Sequence, residues 1–152
     1  MEINLSVANI KKQISNLTQK WLDGWNIGTG DFNAEVFRDL FAPGDNGIEV
    51  FDNVKGDVLV IRSVDEYIRT WGPFMAPMTK WSVRLDDLKI KLSGDMALST
   101  FMLVGTDTRG PDGSIIPFGQ YGTHVWQRLP DCGWRIIHEH LTMFNADPEA
   151  KS

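Results

Sequence analysis

The stretch that most constrains this chain is its last apolar run, Trp134-Arg135-Ile136-Ile137-His138-Glu139-His140-Leu141-Thr142-Met143-Phe144. It is apolar enough to be buried, yet His138, Glu139 and His140 stand side by side within it. A charge taken out of water is costly unless it is paired or used. Strand alternation puts Trp134, Ile136, His138, His140 and Thr142 on one face, and Arg135, Ile137, Glu139, Leu141 and Met143 on the other. Neither face is purely polar, so the sheet is expected to be covered on both sides. Helices of the same chain can cover one side, and a second subunit is the expected cover for the other.

The rest of the chain has room for that arrangement. Its 152 residues suffice for one domain with a real core, expected to span residues 1–152. A net charge of -5 argues against a nucleic-acid partner, which would call for a basic footprint. No apolar run has the length of a membrane-spanning helix. Met1-Glu2-Ile3-Asn4 lacks the basic-then-apolar pattern of a signal peptide, so a cytoplasmic protein with no membrane partner is expected. The single Cys132 excludes an internal disulfide and a cysteine-rich zinc site.

Taken in order, residues 6–26 read as an amphipathic helix. Val7, Ile10, Ile14, Leu17, Trp21 and then Leu22 or Trp25 recur at three- and four-residue steps. Ser6 is the expected N-cap, and Gly28 and Gly30 end the helix. Asp31 is expected to cap a short helix through Phe32, Val36, Phe37 and Leu40. Residues 48–52 form a short strand, 58–62 are ambiguous, and 64–71 form a helix capped by Ser63 and ended by Pro73 and Pro77. From Lys80 the period changes to that of strands, at residues 81–92, 97–106, 115–129 and 134–144. Helices first and then an antiparallel meander is an α+β layout.

The turn Pro130-Asp131-Cys132-Gly133 suggests a register for the last hairpin. If Leu129 faces Trp134, then His124 faces Glu139, Val125 faces His138 and Trp126 faces Ile137. His124 and Glu139 would form a cross-strand pair flanked by Trp126, Ile137 and Leu141. A carboxylate beside an imidazole fixes its tautomer, which is how a general base is often held. A one-residue slip would dissolve the pair, and a purely structural ion pair is an equal alternative.

Other candidates are weaker. His138 and His140 alternate on a strand as two zinc ligands would, but no partner ligands accompany them, so no metal is expected. Packing in a subunit interface, or bonding to nearby backbone, suits them better. Asp52 ends an apolar strand, where it is either a carboxylate at a pocket rim or an ordinary turn residue. Trp21, Trp25, Trp71 and Trp81 either wall a cavity or pack a core. Gly105-Thr106-Asp107-Thr108-Arg109-Gly110 lacks the residues and setting of a phosphate loop.

Two segments together carry a family resemblance. The first is Trp21-Leu22-Asp23-Gly24-Trp25-Asn26, and the second is the hairpin from Gly122 through Trp126 to Trp134-Arg135-Ile136-Ile137-His138-Glu139-His140. The chain, from about Val7 to Phe144, resembles the SnoaL-like branch of the nuclear transport factor 2-like superfamily, which includes ketosteroid isomerase. The resemblance implies a cone-shaped fold, with N-terminal helices packed on a curved, mainly antiparallel sheet around a pocket. It also implies homodimers joined through the outer sheet face.

Ketosteroid isomerases place their base in a stretch similar to Phe51-Asp52-Asn53-Val54-Lys55-Gly56, so Asp52 matches it. Their tyrosine donor matches Trp21, a poorer donor and a larger group. Kinase association domains carry arginines where this chain has His124 and Leu141, which puts His124, Glu139 and Leu141 on the pocket side. Function varies widely on this fold. One expectation is therefore a cofactor-independent isomerase, cyclase or dehydratase acting on a small apolar organic molecule. His124, Glu139 and Asp52 would be catalytic, and Trp21, Trp25, Trp71, Trp81, Trp126 and Leu141 would line the site. The other is a non-catalytic ligand-binding or assembly module of the same fold.

Overall fold

The computed structural model describes residues 2–27 and 32–144, with side chains from residue 7 onward. Helix α1 runs Glu2–Trp25, and helix α2 runs Val64–Met75. The six strands among the described residues are β1 (Glu49–Asp52), β2 (Leu59–Ile61), β3 (Lys80–Ser93), β4 (Met96–Arg109), β5 (Gly119–Leu129) and β6 (Gly133–Met143). They form one open sheet in the order β2-β1-β6-β5-β4-β3. Every neighbouring pair is antiparallel except β1 with β6. The α+β layout is as expected, and residues 58–62 resolve into β2 at the sheet edge.

Helix α1 buries Ile14, Thr18, Trp21, Leu22 and Trp25 against the sheet, whereas Val7 stays 40% exposed. The helix starts before Ser6, which lies within it rather than capping it. Gly28, Gly30 and Asp31 lie outside the described residues. The cap of the next turn, Ala34–Phe37, is Asn33, whose side chain accepts from the Glu35 N–H. Ser63 caps α2 as expected by accepting from the Glu66 N–H at 3.1 Å. Pro73 sits inside α2 instead of ending it, and the helix stops two residues later at Met75. The apolar stripe Val64, Tyr67, Trp71 and Met75 is buried, so packing holds the last turn despite the missing proline N–H.

The meander curves through irregularities. The β3–β4 register shifts between Ser82 and Val83 and again between Asp86 and Lys89, where Asp87 takes φ 56°. Such bulges bend a strand and increase its twist. A third bulge, in β6, decides the site. Val125 pairs with His138 but Trp126 pairs with Ile136, which leaves Ile137 as the extra residue. The tip of the hairpin is one residue away from the expected register, because Leu129 faces Gly133 rather than Trp134. Trp126 therefore faces Ile136, not Ile137, but His124 still faces Glu139 because the bulge restores the expected pairing beyond it.

The same bulge corrects the simple alternation of faces. Trp134 and Ile136 are buried together with Glu139 and Leu141, on the helix-covered side. The first half of β6 also has a neighbour in residues 40–42: the Ile136 N–H donates to the Leu40 carbonyl at 2.8 Å, and the Ala42 N–H to the Ile136 carbonyl at 2.9 Å. β1 takes over beside the second half, pairing Asp52 with Leu141.

Candidate active site

The inner face of the sheet carries an uncommon amount of buried polarity. His124 and Glu139 are both fully buried, and His124 Nε2 lies 2.9 Å from Glu139 Oε1. The Tyr67 hydroxyl donates to the same carboxylate, at 3.0 Å from Oε2. The Trp21, Phe101 and Trp126 rings surround the imidazole, with the Trp21 ring centre 4.6 Å away. His124 Nδ1 has no partner among the described residues. An imidazole proton on Nε2, facing the carboxylate, leaves only a lone pair on the apolar side, which is the cheaper arrangement.

Tyr67 was not expected from the sequence. Its signal was a phenol on the buried stripe of α2, where a hydroxyl needs a partner. Burial first, and then the charge of Glu139, push its pKa well above the usual tyrosine range. The nearby Trp21 indole opposes that rise, although its N–H stops short of hydrogen-bond geometry.

Asp52 forms a second polar centre. It is 4% exposed, so it is not an ordinary turn residue. Its Oδ1 accepts from the Val54 N–H at 2.9 Å and from Gln120 Nε2 at 3.1 Å. Burial raises its pKa to about 7, and the negative charge of Glu139 adds to the rise while the two hydrogen bonds oppose it. Gln120 was also missed. It shares the inward face of β5 with His124 two alternations on, and a polar residue on a buried face was the available signal.

Beside Asp52 lies a small cavity of about 30 Å³. Trp25, Trp71, Trp81, Phe118, Leu103 and Leu141 supply most of its apolar wall, and Asp52 and Gln120 supply its polar groups. Val54 and Phe74 also line it, and Lys55 Nζ stands 5.2 Å from the Phe74 ring. Four of the expected lining residues, Trp25, Trp71, Trp81 and Leu141, are therefore in this wall. Trp21 and Trp126 are not, since they pack around His124, and the Trp126 indole donates to Ser99 Oγ at 3.1 Å. His124 and Glu139 do not line the cavity either. The two carboxylates share the sheet face, but only Asp52 meets the cavity, because β1 and β6 run parallel and set Asp52 beside Leu141 rather than beside Glu139.

His138 and His140 face the other way. His138 Nδ1 lies 3.6 Å from Glu49 Oε1, His140 bonds to Thr142 at 3.1 Å, and both rings meet the edge of Phe51.

A family model described as a SnoaL-like domain matches residues 14–146. The chain belongs to the SnoaL-like domain family. Solved structures agree on the fold. A nuclear transport factor 2-like superfamily protein from Salmonella enterica superposes with TM-score 0.74 at 19% identity, covering 90% of this chain and 92% of that one. A candidate ketosteroid isomerase from Shewanella frigidimarina gives 0.64 at 19% identity, covering 84% and 92%. The calcium/calmodulin-dependent kinase II hub of S. rosetta gives 0.63 at 17% identity, covering 89% and 94%. No curated protein matches the chain. No helix among the described residues is long and apolar enough to cross a membrane.

Proposed function

We propose that this SnoaL-like protein is a cofactor-independent acid/base enzyme that isomerises, cyclises or dehydrates a small apolar molecule. The observation that carries this reading is Asp52, a carboxylate in the wall of an apolar cavity with its pKa raised to about 7. A base poised near the working pH accepts a proton and returns it with comparable ease. Asp52 takes the proton from carbon and delivers it to the product. Burial chiefly keeps the pKa of Asp52 high, Glu139 adds to it from behind the wall, and Tyr67 and His124 hold Glu139 in place. His124 and Glu139 are thus positioning residues, and the role first expected of His124 passes to Asp52. The cavity is the size of one small group, so a whole substrate enters only by displacing side chains of its wall.

The test is deuterium exchange. Small cyclic ketones in D₂O, followed by proton NMR, should lose the signal of hydrogens next to the carbonyl when the protein is added. Asp52→Asn should slow that exchange by roughly 10²- to 10⁴-fold. The wild-type rate should rise with pH and level off above about 7. Exchange that is equally fast in Asp52→Asn removes Asp52 from the chemistry.

A second reading concerns the outer sheet face, where Val60, Met96, Leu98 and Tyr121 are exposed, Tyr121 by 56%. His138, His140 and Phe51 lie on the same face. We propose that this face joins two copies of the chain, as in an assembly module. Sedimentation of the wild type as a dimer, and of Tyr121→Glu as a monomer, is the expected result, and a monomeric wild type ends that reading.

A further inference from the structure

The wall of the cavity beside Asp52 is thinnest along one seam. Among the described residues, every side chain that lines it is buried except Val54 and Phe74, which are half-buried. Val54 follows β1, and Phe74 stands in the last turn of α2. The two meet across the cavity wall, so the seam runs between the β1–β2 loop and the end of the helix.

The two sides of the seam are held differently. The Val54 N–H donates to Asp52 Oδ1 at 2.9 Å, and the Met143 N–H donates to Asn53 Oδ1 at 2.8 Å. Moving the loop side would strip a buried carboxyl of a hydrogen bond, which is costly. A phenyl ring makes no such bond. The Phe74 ring meets the Trp71 ring edge-on at 5.5 Å, and the Lys55 ammonium lies 5.2 Å from its centre. A cation over an aromatic face is attracted to it, though only weakly where the cation is exposed, as Lys55 is. Pro73, just before Phe74, has no N–H to give to the turn before it. Turning the Phe74 ring outward therefore breaks packing and one weak contact, but no hydrogen bond.

We propose that Phe74 is the gate of the cavity and Lys55 its latch: the ring swings out of the seam to admit a ligand, and the ammonium against it favours the shut position. The latch spans the seam, because Lys55 belongs to the loop and Phe74 to the helix. Its post is fixed, because Lys55 follows Val54, whose N–H is bonded to Asp52. The proposal rests on the proposed function only in taking this cavity as the substrate site.

The test needs neither substrate nor turnover. Cys132 is replaced by Ser, and one thiol is placed in the cavity wall by Leu103→Cys. The rate at which methyl methanethiosulfonate, a small thiol reagent, labels residue 103 reports how often the cavity opens. Ile136→Cys in the same Cys132→Ser background puts the thiol at a buried position outside the cavity wall and reports opening of the whole fold. Lys55→Met should speed labelling at residue 103 by about 2- to 5-fold, the worth of an exposed cation–π contact. Lys55→Arg should restore the original rate, Phe74→Ala should raise it further, and labelling at residue 136 should not respond to Lys55→Met.

Labelling at residue 103 that ignores both Lys55 and Phe74, or that rises only in step with labelling at residue 136, overturns the gate. If Phe74→Ala does not fold, the two Lys55 variants still decide. Deuterium exchange tests the enzyme separately. Labelling gated by Lys55 with no exchange activity removes the enzyme and keeps the gate. Asp52-dependent exchange with ungated labelling does the reverse.

Discussion

Asp52→Asn should stabilise the protein, and increasingly so as the pH rises. In the folded state the Asp52 carboxyl has a pKa of about 7, raised from 3.8, mainly because it is buried. A raised carboxyl pKa means that the folded state holds its proton after the unfolded state has lost it. The stability this group contributes is therefore fully present below pH 3.8 and is lost as pH rises through about 7. Above that point the folded protein carries a buried carboxylate whose only hydrogen-bond donors among the described residues are the Val54 N–H and Gln120.

Between pH 5 and 8 the loss runs over about two pH units at about 1.4 kcal/mol each, or roughly 2 to 3 kcal/mol in all. Asparagine has no charge to bury, and its Oδ1 can accept the same two bonds. Urea denaturation of wild type and variant at pH 5 and pH 8, at one protein concentration, measures the effect. The advantage of the variant should widen by roughly 2 to 3 kcal/mol at the higher pH, or about 5 to 10 °C in Tm for a chain of this size. Glu35, Asp107 and Asp112 do not confuse the comparison. Hydrogen bonds and ion pairs hold their carboxyls below the usual range, so they are ionised throughout the window. An advantage of the same size at both pH values would refute the argument that Asp52 is desolvated.

Glu139→Gln should move the pH profile of exchange to lower pH, because it removes a charge that raises the pKa of Asp52. The displacement should be less than half of the rise from 3.8 to about 7, since burial is the larger cause, and an unmoved profile would disconnect the two carboxylates. Tyr67→Phe takes a donor from buried Glu139 and should cost about 1 to 3 kcal/mol, read as a lower urea midpoint, with an unchanged midpoint counting against the bond. Gly122→Ala would drive a methyl group into the Phe101 ring and the Leu141 side chain. Overpacking of that kind costs about 1 to 3 kcal/mol, and wild-type stability in the variant would show that the sheet gives way there.

Much of this molecule was legible because its signals are local. The period change at Lys80 and the Ser63 cap depend on a few neighbouring residues, and the structure reproduces both, whereas the turn expected over Pro130–Gly133 closes one residue early, with Leu129 facing Gly133. The opposition of His124 and Glu139 was legible too, but only with the bulge at Ile137. Counting from the hairpin tip was wrong by one residue, and the bulge made up the difference. A bulge answers to sheet curvature and to what packs on each face, and neither of these is written in a turn.

Only the tertiary structure decided which buried group meets the cavity. The burial of Asp52 depends on a parallel pairing between β1 and β6, which are far apart in the chain, and on a hydrogen bond from Gln120. The hold of Tyr67 on Glu139 depends on α2 crossing the sheet at that point, a contact spanning 72 residues. The sequence by itself determined the two helices, every strand but β2, and the presence of charge on an inner face, because hydrophobic period and turn chemistry act over short range. The division of labour among those charges came from distance and desolvation, which exist only once the chain has closed on itself.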